Sequence, residues 1–183
     1  MKKGFTLIEL LVVIGIIGAL AGFAISKLGS ADKALAVASV KQDVRSAVSQ
    51  DLINKSMGMS LEQNTEGVSE NNDGTQTQAM EVTIIDPASA SGTDALYKVQ
   101  ISPRNNIRMR SIECGDDSDR PGEWGYYAWV KNTKYTHSAF GDDGVADIAW
   151  GFTSCGSVAI GPVYTNGEGS TSIGGLSLNG TPI

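Results

Sequence analysis

The sequence predicts an α+β fold, a long N-terminal helix packed against an antiparallel β-sheet, and three observations carry the prediction. An uninterrupted apolar run near the N-terminus is followed by a stripe of valines at helical spacing. Beyond residue 80, short segments alternate apolar and polar side chains with the period of two typical of a half-buried strand. Between these regions lies a stretch rich in Asn, Glu, Gly, Gln and Ser, the composition of a surface connection.

The first element is the apolar run. Met1 to Gly4 is a short basic leader, and Leu10 to Ile25 contains no charged or strongly polar side chain. From Phe5 to Ile25 the stretch is about 21 residues, close to the ~20 that a helix needs to cross ~30 Å of hydrocarbon. Lys2 and Lys3 precede it and the next basic residue is Lys27, a bias that keeps the leader cytoplasmic and sends the remainder outward. Glu9 interrupts this pattern. A carboxylate inside an apolar helix is costly and marks a functional candidate. Nothing basic lies one turn away, so a counter-ion for Glu9 must come from another chain or from a newly made N-terminus. A conventional signal peptide, with Leu10 to Ile25 as its apolar region and Gly29, Ser30, Ala31 as its cleavage site, is the competing reading, and Glu9 is unexpected for it.

From Lys27 to about Lys55 the helix is predicted to continue. Val37, Val40, Val44, Val48 and Leu52 share a face, while Lys41, Asp43, Arg45 and Asp51 fall mostly elsewhere. The whole helix would be about 50 residues and roughly 75 Å long. Ser56 to Thr77 reads as a long surface loop. Strands are predicted at Met80 to Ile85, Leu96 to Ile101 and Ile107 to Ile112. The last two should form a hairpin through the turn residues Ser102 to Asn106. Tyr126 to Lys131 and Ser157 to Tyr164 read as further strands, and the Gly-, Ser- and Thr-rich tail from Thr165 is weakly patterned apart from a short strand at Leu176 to Leu178.

Composition narrows the function. The 183 residues suffice for one domain with an appendage, and 41% hydrophobic with 19% charged residues is an ordinary globular balance. The net charge of −6 becomes more negative if a leader carrying Lys2 and Lys3 is removed. An acidic surface argues against nucleic acid as the main partner, because duplex binding needs clustered Lys and Arg. Cys114 and Cys155 have neither a CxxC spacing nor a His cluster nearby, which leaves a single disulfide or two unpaired buried thiols. A bridge would close a loop of about 40 residues and stabilise by ~3 to 4 kcal/mol.

The string Gly4, Phe5, Thr6, Leu7, Ile8, Glu9, after a basic leader and before an apolar run, resembles the processing signal of type IV pilins and the related pseudopilins of type II secretion. The resemblance implies cleavage by a prepilin peptidase after Gly4, N-methylation of Phe5, and pairing of Glu9 with the terminal amine of a neighbouring subunit. An α-amino group with a pKa near 7.7 to 8 is a fitting partner for such a carboxylate. It further implies residues 1–4 as leader, 5–26 as the membrane and filament-core half of the helix, and 27–183 as a globular head with a disulfide-bounded C-terminal loop between Cys114 and Cys155. One departure stands out: the family often carries a proline late in the apolar run, where this chain has Ser26 and no proline before Pro87. Gly15, Gly18 and Gly22 weaken the helix or, through the Gly18 to Gly22 GxxxG spacing, allow close packing.

Enzymatic chemistry is not expected. His137 is the one histidine, and no phosphate-binding glycine motif is present, so any assembly motor is a separate protein. Some pseudopilins hold calcium in a C-terminal loop, and Asp142, Asp143 and Asp147, or Asp116, Asp117 and Asp119, are oxygen-rich candidates for it. Neither cluster has the calcium-loop spacing, and solvated acidic loops are the simpler reading. The expected protein is therefore a subunit of a helical homo-oligomeric filament. It would enter the inner membrane as a precursor, pass to a pilus assembly platform, and end in an extracellular pilus or a periplasmic pseudopilus. A minor pilin, a secretion pseudopilin, or a membrane-anchored binding protein using Trp124, Tyr126, Tyr127, Trp129 and Trp150 are the alternatives.

Overall fold

A computed structural model describes residues 6–62, 67–70, 74–92, 94–116, 118–135, 148–156, 160–166, 170–173 and 176–178. Gly4, Phe5, Asp117, His137, Asp142, Asp143 and Asp147 lie outside them, as does the side chain of Ser26. The chain divides into two compact units, Met1–Leu35 and Ala36–Ile183. Helix α1, Leu7–Lys55, contributes residues to both.

In the first unit α1 is exposed along its described length, and Leu7–Ile25 is long and apolar enough to cross a membrane. Leu7, Ile8, Leu10, Leu11, Ile14 and Phe23 all face outward with more than half of their surface free. Such a surface is at rest only in an apolar medium.

In the second unit α1 buries Val40, Val44 and Val48 of the expected stripe, but the inward face turns away from Leu52. Ala36, Val40, Asp43, Val44, Ala47, Val48, Asp51 and Asn54 are buried, Val37 is half-buried, and Leu52 is 60% exposed. The reason is the helical period. Val40, Val44, Val48 and Leu52 advance by four residues each time, so the stripe drifts about 40° per step and Leu52 ends about 120° off the seam. Asp51 stays on that seam, so the side chains that meet the sheet include two carboxylates. Gly58, at φ +79°, ends the helix by accepting the left-handed conformation, with Met59 N–H donating to Asn54 O at 3.0 Å.

The strands are β1 Gly67–Glu70, β2 Met80–Ile85, β3 Ala95–Ile101, β4 Asn105–Glu113, β5 Trp124–Asn132, β6 Ala149–Thr153, β7 Gly161–Asn166, β8 Ser170–Ile173 and β9 Leu176–Leu178. Seven form an antiparallel sheet in the order β1-β4-β5-β6-β7-β8-β9, and β2 with β3 form a separate two-stranded sheet. An α+β fold with a helix on antiparallel sheets is thus observed.

Four details depart from the sequence reading. The expected β3–β4 hairpin is absent: β3 pairs with β2, and β4 pairs with β1 and β5. The turn between them is tied to the helix, with Ser102 N–H donating to Asp43 Oδ2 at 2.8 Å, and to the segment before β2, with Arg104 N–H donating to Gln76 O at 2.9 Å. It is a crossover between sheets. The predicted loop from Ser56 to Thr77 contains β1, of whose four residues Val68 alone favours a strand and which gains its order by adding to the edge of β4. Strand β6 was hidden by its central Gly151, and β8 by its Ser- and Thr-rich sequence.

The main core lies between α1 and the sheets, where Val40, Val44, Ala47 and Val48 meet Val82, Ile84, Val99, Ile101, Ile107, Met109, Tyr126, Ala128 and Val130. The opposite face of the large sheet carries a second cluster of Tyr127, Trp129, Ala149 and Val163. Alternation along β5 sends Tyr126 and Ala128 to one cluster and Tyr127 and Trp129 to the other, so this central strand is buried on both faces.

Candidate functional site

The first described residues form a reciprocal cap. Thr6 precedes the helix, Glu9 stands three residues on, and the Glu9 N–H donates to Thr6 Oγ1 at 3.3 Å. In return Glu9 Oε2 accepts the Thr6 N–H at 2.8 Å and the Thr6 hydroxyl at 2.9 Å. This is the capping-box arrangement, and its T-x-x-E signature stands in the sequence at Thr6 to Glu9. Glu9 has hydrogen-bond partners of its own before any second chain arrives. None of them is cationic among the described residues, and its side chain is exposed beside an apolar surface. A carboxylate so placed is held in one direction and remains open to a cation.

In the second unit two buried carboxylates fasten α1 to the sheets. Asp43 accepts Ser102 N–H at 2.8 Å, the Ser102 hydroxyl at 2.8 Å and Asn105 Nδ2 at 2.7 Å. Asn105 Oδ1 in turn accepts Asn132 Nδ2 at 2.8 Å, which carries the chain of bonds to the end of β5. Asp51 accepts the Tyr97 hydroxyl at 2.8 Å, Leu61 N–H at 3.1 Å and the Ser60 hydroxyl at 3.2 Å. Burial pushes both aspartates above the ordinary carboxylate range, against the pull of these donors, and Glu62 pushes Asp51 further. Burial and the Asp51 carboxylate raise the Tyr97 and Tyr126 phenols as well.

A raised folded-state pKa favours the protonated form of Asp51 in the fold. Its contribution to stability is complete below the ordinary value of ~3.9 and is lost as pH rises through the folded value. Asp51→Asn keeps an acceptor for Tyr97 and Leu61 and gains a donor for Ser60. The head carrying it is expected to melt no lower than wild type at pH 7 and to show a flatter melting-temperature profile from pH 4 to 7. Asp51→Ala, by contrast, strands a buried hydroxyl and an N–H, at about 1 to 3 kcal/mol. Calorimetry across that range checks the point, and Asp51→Asn as damaging as Asp51→Ala at neutral pH would show that the charge itself is required.

Cys114, just past β4, is bonded to Cys155, just past β6, with Cα atoms 5.4 Å apart. The bond passes over β5 at Gly125, where an added Cβ would lie 2.6 Å from Cys155 Sγ and 2.8 Å from Cys114 Sγ. Only glycine fits beneath the bridge. Arg120 closes the adjoining turn, donating to Glu123 at 2.7 Å, Glu62 at 3.3 Å, the Ser154 carbonyl at 3.2 Å and the Trp124 carbonyl at 3.3 Å. Burial alone would raise Glu62, but Lys55 and Arg120 hold it below its usual value.

The aromatic residues of this region pack inward. Tyr126, Tyr127 and Trp129 are buried, Trp124 and Trp150 half-buried, and Lys41 of α1 lies 3.9 Å from the centre of the Trp150 ring. Among the described residues no group of three or more His, Cys, Asp or Glu side chains is placed to hold a metal ion.

Residues 1–25 match the family described as the prokaryotic N-terminal methylation motif. No curated protein and no solved structure matches the chain. The N-terminus is therefore a prepilin signal of the type IV pilin and pseudopilin kind, and it supports a pilin-like or pseudopilin-like structural protein. The motif implies processing by a prepilin peptidase and assembly for a pilus or for secretion. With the apolar helix it points to membrane anchoring of the precursor.

Proposed function

We propose that the chain is a structural subunit of a type IV pilus. Residues 1–4 are the leader, 5–26 pass from the membrane into the filament core, and 27–183 form the surface-exposed head. The observation that carries this reading is the methylation motif over residues 1–25, coupled to an exposed apolar helix in which Glu9 is the one charged side chain from Leu7 to Ile25. Prepilin peptidase cuts after Gly4 and Phe5 becomes the methylated N-terminus. Subunits leave the inner membrane at the assembly platform as their apolar helices come together, and Glu9 meets the Phe5 amine of a neighbour so that neither charge is buried alone.

Mass analysis of protein from sheared cells, with electron microscopy of the same fraction, tests the proposal. The expected result is long surface filaments whose subunit begins at N-methylated Phe5. A periplasmic assembly with no surface filaments assigns the chain to a pseudopilus instead. A mature N-terminus at Asp32 overturns both. The rival binding-protein reading needs an open aromatic surface, and the burial of Tyr126, Tyr127 and Trp129 disfavours it.

A further inference from the structure

Strands β3 and β5 turn apolar side chains toward α1 along most of their length, Val99 and Ile101 from β3 and Ala128 and Val130 from β5. At one end of this core each strand places a tyrosine instead, Tyr97 and Tyr126. Both phenols lie beside Asp51 of α1, which is fully buried. The Tyr97 hydroxyl is used, since it donates to Asp51 Oδ1 at 2.8 Å. The Tyr126 hydroxyl is not. Tyr126 is 2% exposed, and its hydroxyl oxygen is buried with no hydrogen-bond partner among the described residues. The carboxylates of Asp51 and Glu62 both act on this phenol, which places its hydroxyl beside the two of them, yet neither stands in hydrogen-bonding position.

A buried hydroxyl without a partner is costly, and phenylalanine would fill the same core position without that cost. The oxygens around Tyr126 have capacity to spare. Asp51 Oδ1 accepts Tyr97 and Leu61 N–H, whereas Oδ2 accepts the Ser60 hydroxyl at 3.2 Å. Glu62 Oε2 takes Lys55, and Oε1 accepts Arg120 at 3.3 Å. Asp51 Oδ2 and Glu62 Oε1 each have a lone pair for one more donor. A group that accepts one hydrogen bond from Tyr126 and donates one to each carboxylate satisfies all three, and water is the smallest molecule with that pattern. A metal cation would leave the phenol proton without an acceptor and would stand against Lys55 and Arg120, which already balance Glu62.

We propose that Tyr126, Asp51 and Glu62 form a binding site for one internal water molecule, through which the central strand β5 is bonded to α1 and to the segment that follows it. Three polar partners are the usual complement of a buried water. The site accounts for a tyrosine at a position whose neighbours on the same face, Ala128 and Val130, are apolar. It lies wholly in the second unit and is independent of the filament reading.

The full-length chain in detergent tests the site in two ways. Tyr126→Phe is expected to lower the melting temperature by about 2 to 4 °C, the size of one lost hydrogen bond in a chain of this length. A crystal structure of the unaltered chain is expected to show a water within hydrogen-bonding distance of Tyr126 Oη, Asp51 and Glu62, and it decides the matter even where Tyr126→Phe fails to fold. An equal or higher melting temperature in Tyr126→Phe overturns the site, because a hydroxyl with no partner is better removed. A dry site in which Tyr126 bonds Asp51 directly overturns it as well. Melting that rises with added Na⁺ or Ca²⁺ in wild type but not in Tyr126→Phe assigns the site to a cation and overturns the water.

Discussion

Glu9→Ala is expected to leave the precursor in the membrane and to cut filament yield by at least two orders of magnitude. In the proposed filament each terminal amine would, without the carboxylate, enter an apolar core uncompensated, and removing one partner of a buried ion pair costs about 3 to 5 kcal/mol, equivalent to a factor of about a hundred or more per junction. The capping role of Glu9 must be separated from this one. Loss of a helix cap costs only ~1 kcal/mol. Thr6→Ala removes the hydroxyl that Glu9 accepts and leaves the charge in place, so it should assemble close to normally. Glu9→Gln keeps an acceptor for Thr6 N–H and loses the charge, and it is expected to behave like Glu9→Ala. Quantifying sheared filaments against membrane-held precursor distinguishes the cases. Wild-type assembly by Glu9→Ala would remove the electrostatic account.

Removing the disulfide is expected to have the second largest effect. Cys114→Ser with Cys155→Ser releases a closed loop with a sequence separation of 41. It should cost the head ~3 to 4 kcal/mol, which lowers the melting temperature of a domain this size by about 10 °C. Gly125→Ala probes the same place from the other side, because its Cβ would press on both sulfurs and on Ser154 Oγ at 2.8 Å. The two changes should not be additive. Serine has no bond to strain, so Gly125→Ala is expected to cost less in the Cys-free background than in wild type. A melting temperature that does not change on losing the cysteines, or strict additivity of the two costs, would show that the bridge is not what holds this corner.

The sequence was most legible where one physical effect dominates. Leu10 to Ile25 has a single reading as an apolar helix, and β4 alternates Ile107 and Met109 with Arg108 and Arg110 as a strand with one face in the core must. It misled where two effects compete. Val40, Val44 and Val48 of α1 are buried as their spacing implies, whereas Leu52, on the same stripe by hydrophobicity, is carried off it by angular drift. Asp43 and Asp51 looked solvent-facing because they are charged, although each finds three donors inside the head. Ser102 to Asn106 has the chemistry of a hairpin turn, but turn residues do not say which neighbour receives the next strand, and that choice belongs to Asp43 and Gln76. β1 was illegible because its order comes from a ladder partner distant in sequence, and β8 because its Ser- and Thr-rich residues gain their order from the strands on either side. At Glu9 the apolar surroundings marked the carboxylate as a candidate, and the cap that holds it is written in Thr6.

The Cys114–Cys155 bond joins the strands on either side of β5 without touching a cysteine on β5 itself. Peeling β6 from β5, or β5 from β4, therefore cannot carry the freed segment away, since the outer strands are tied over the middle one. A protease that cut the chain anywhere between the two cysteines would leave one covalent body with a nick, its central strand still gripped by both neighbours. For the surface-exposed head proposed above, damage in that region would be survivable.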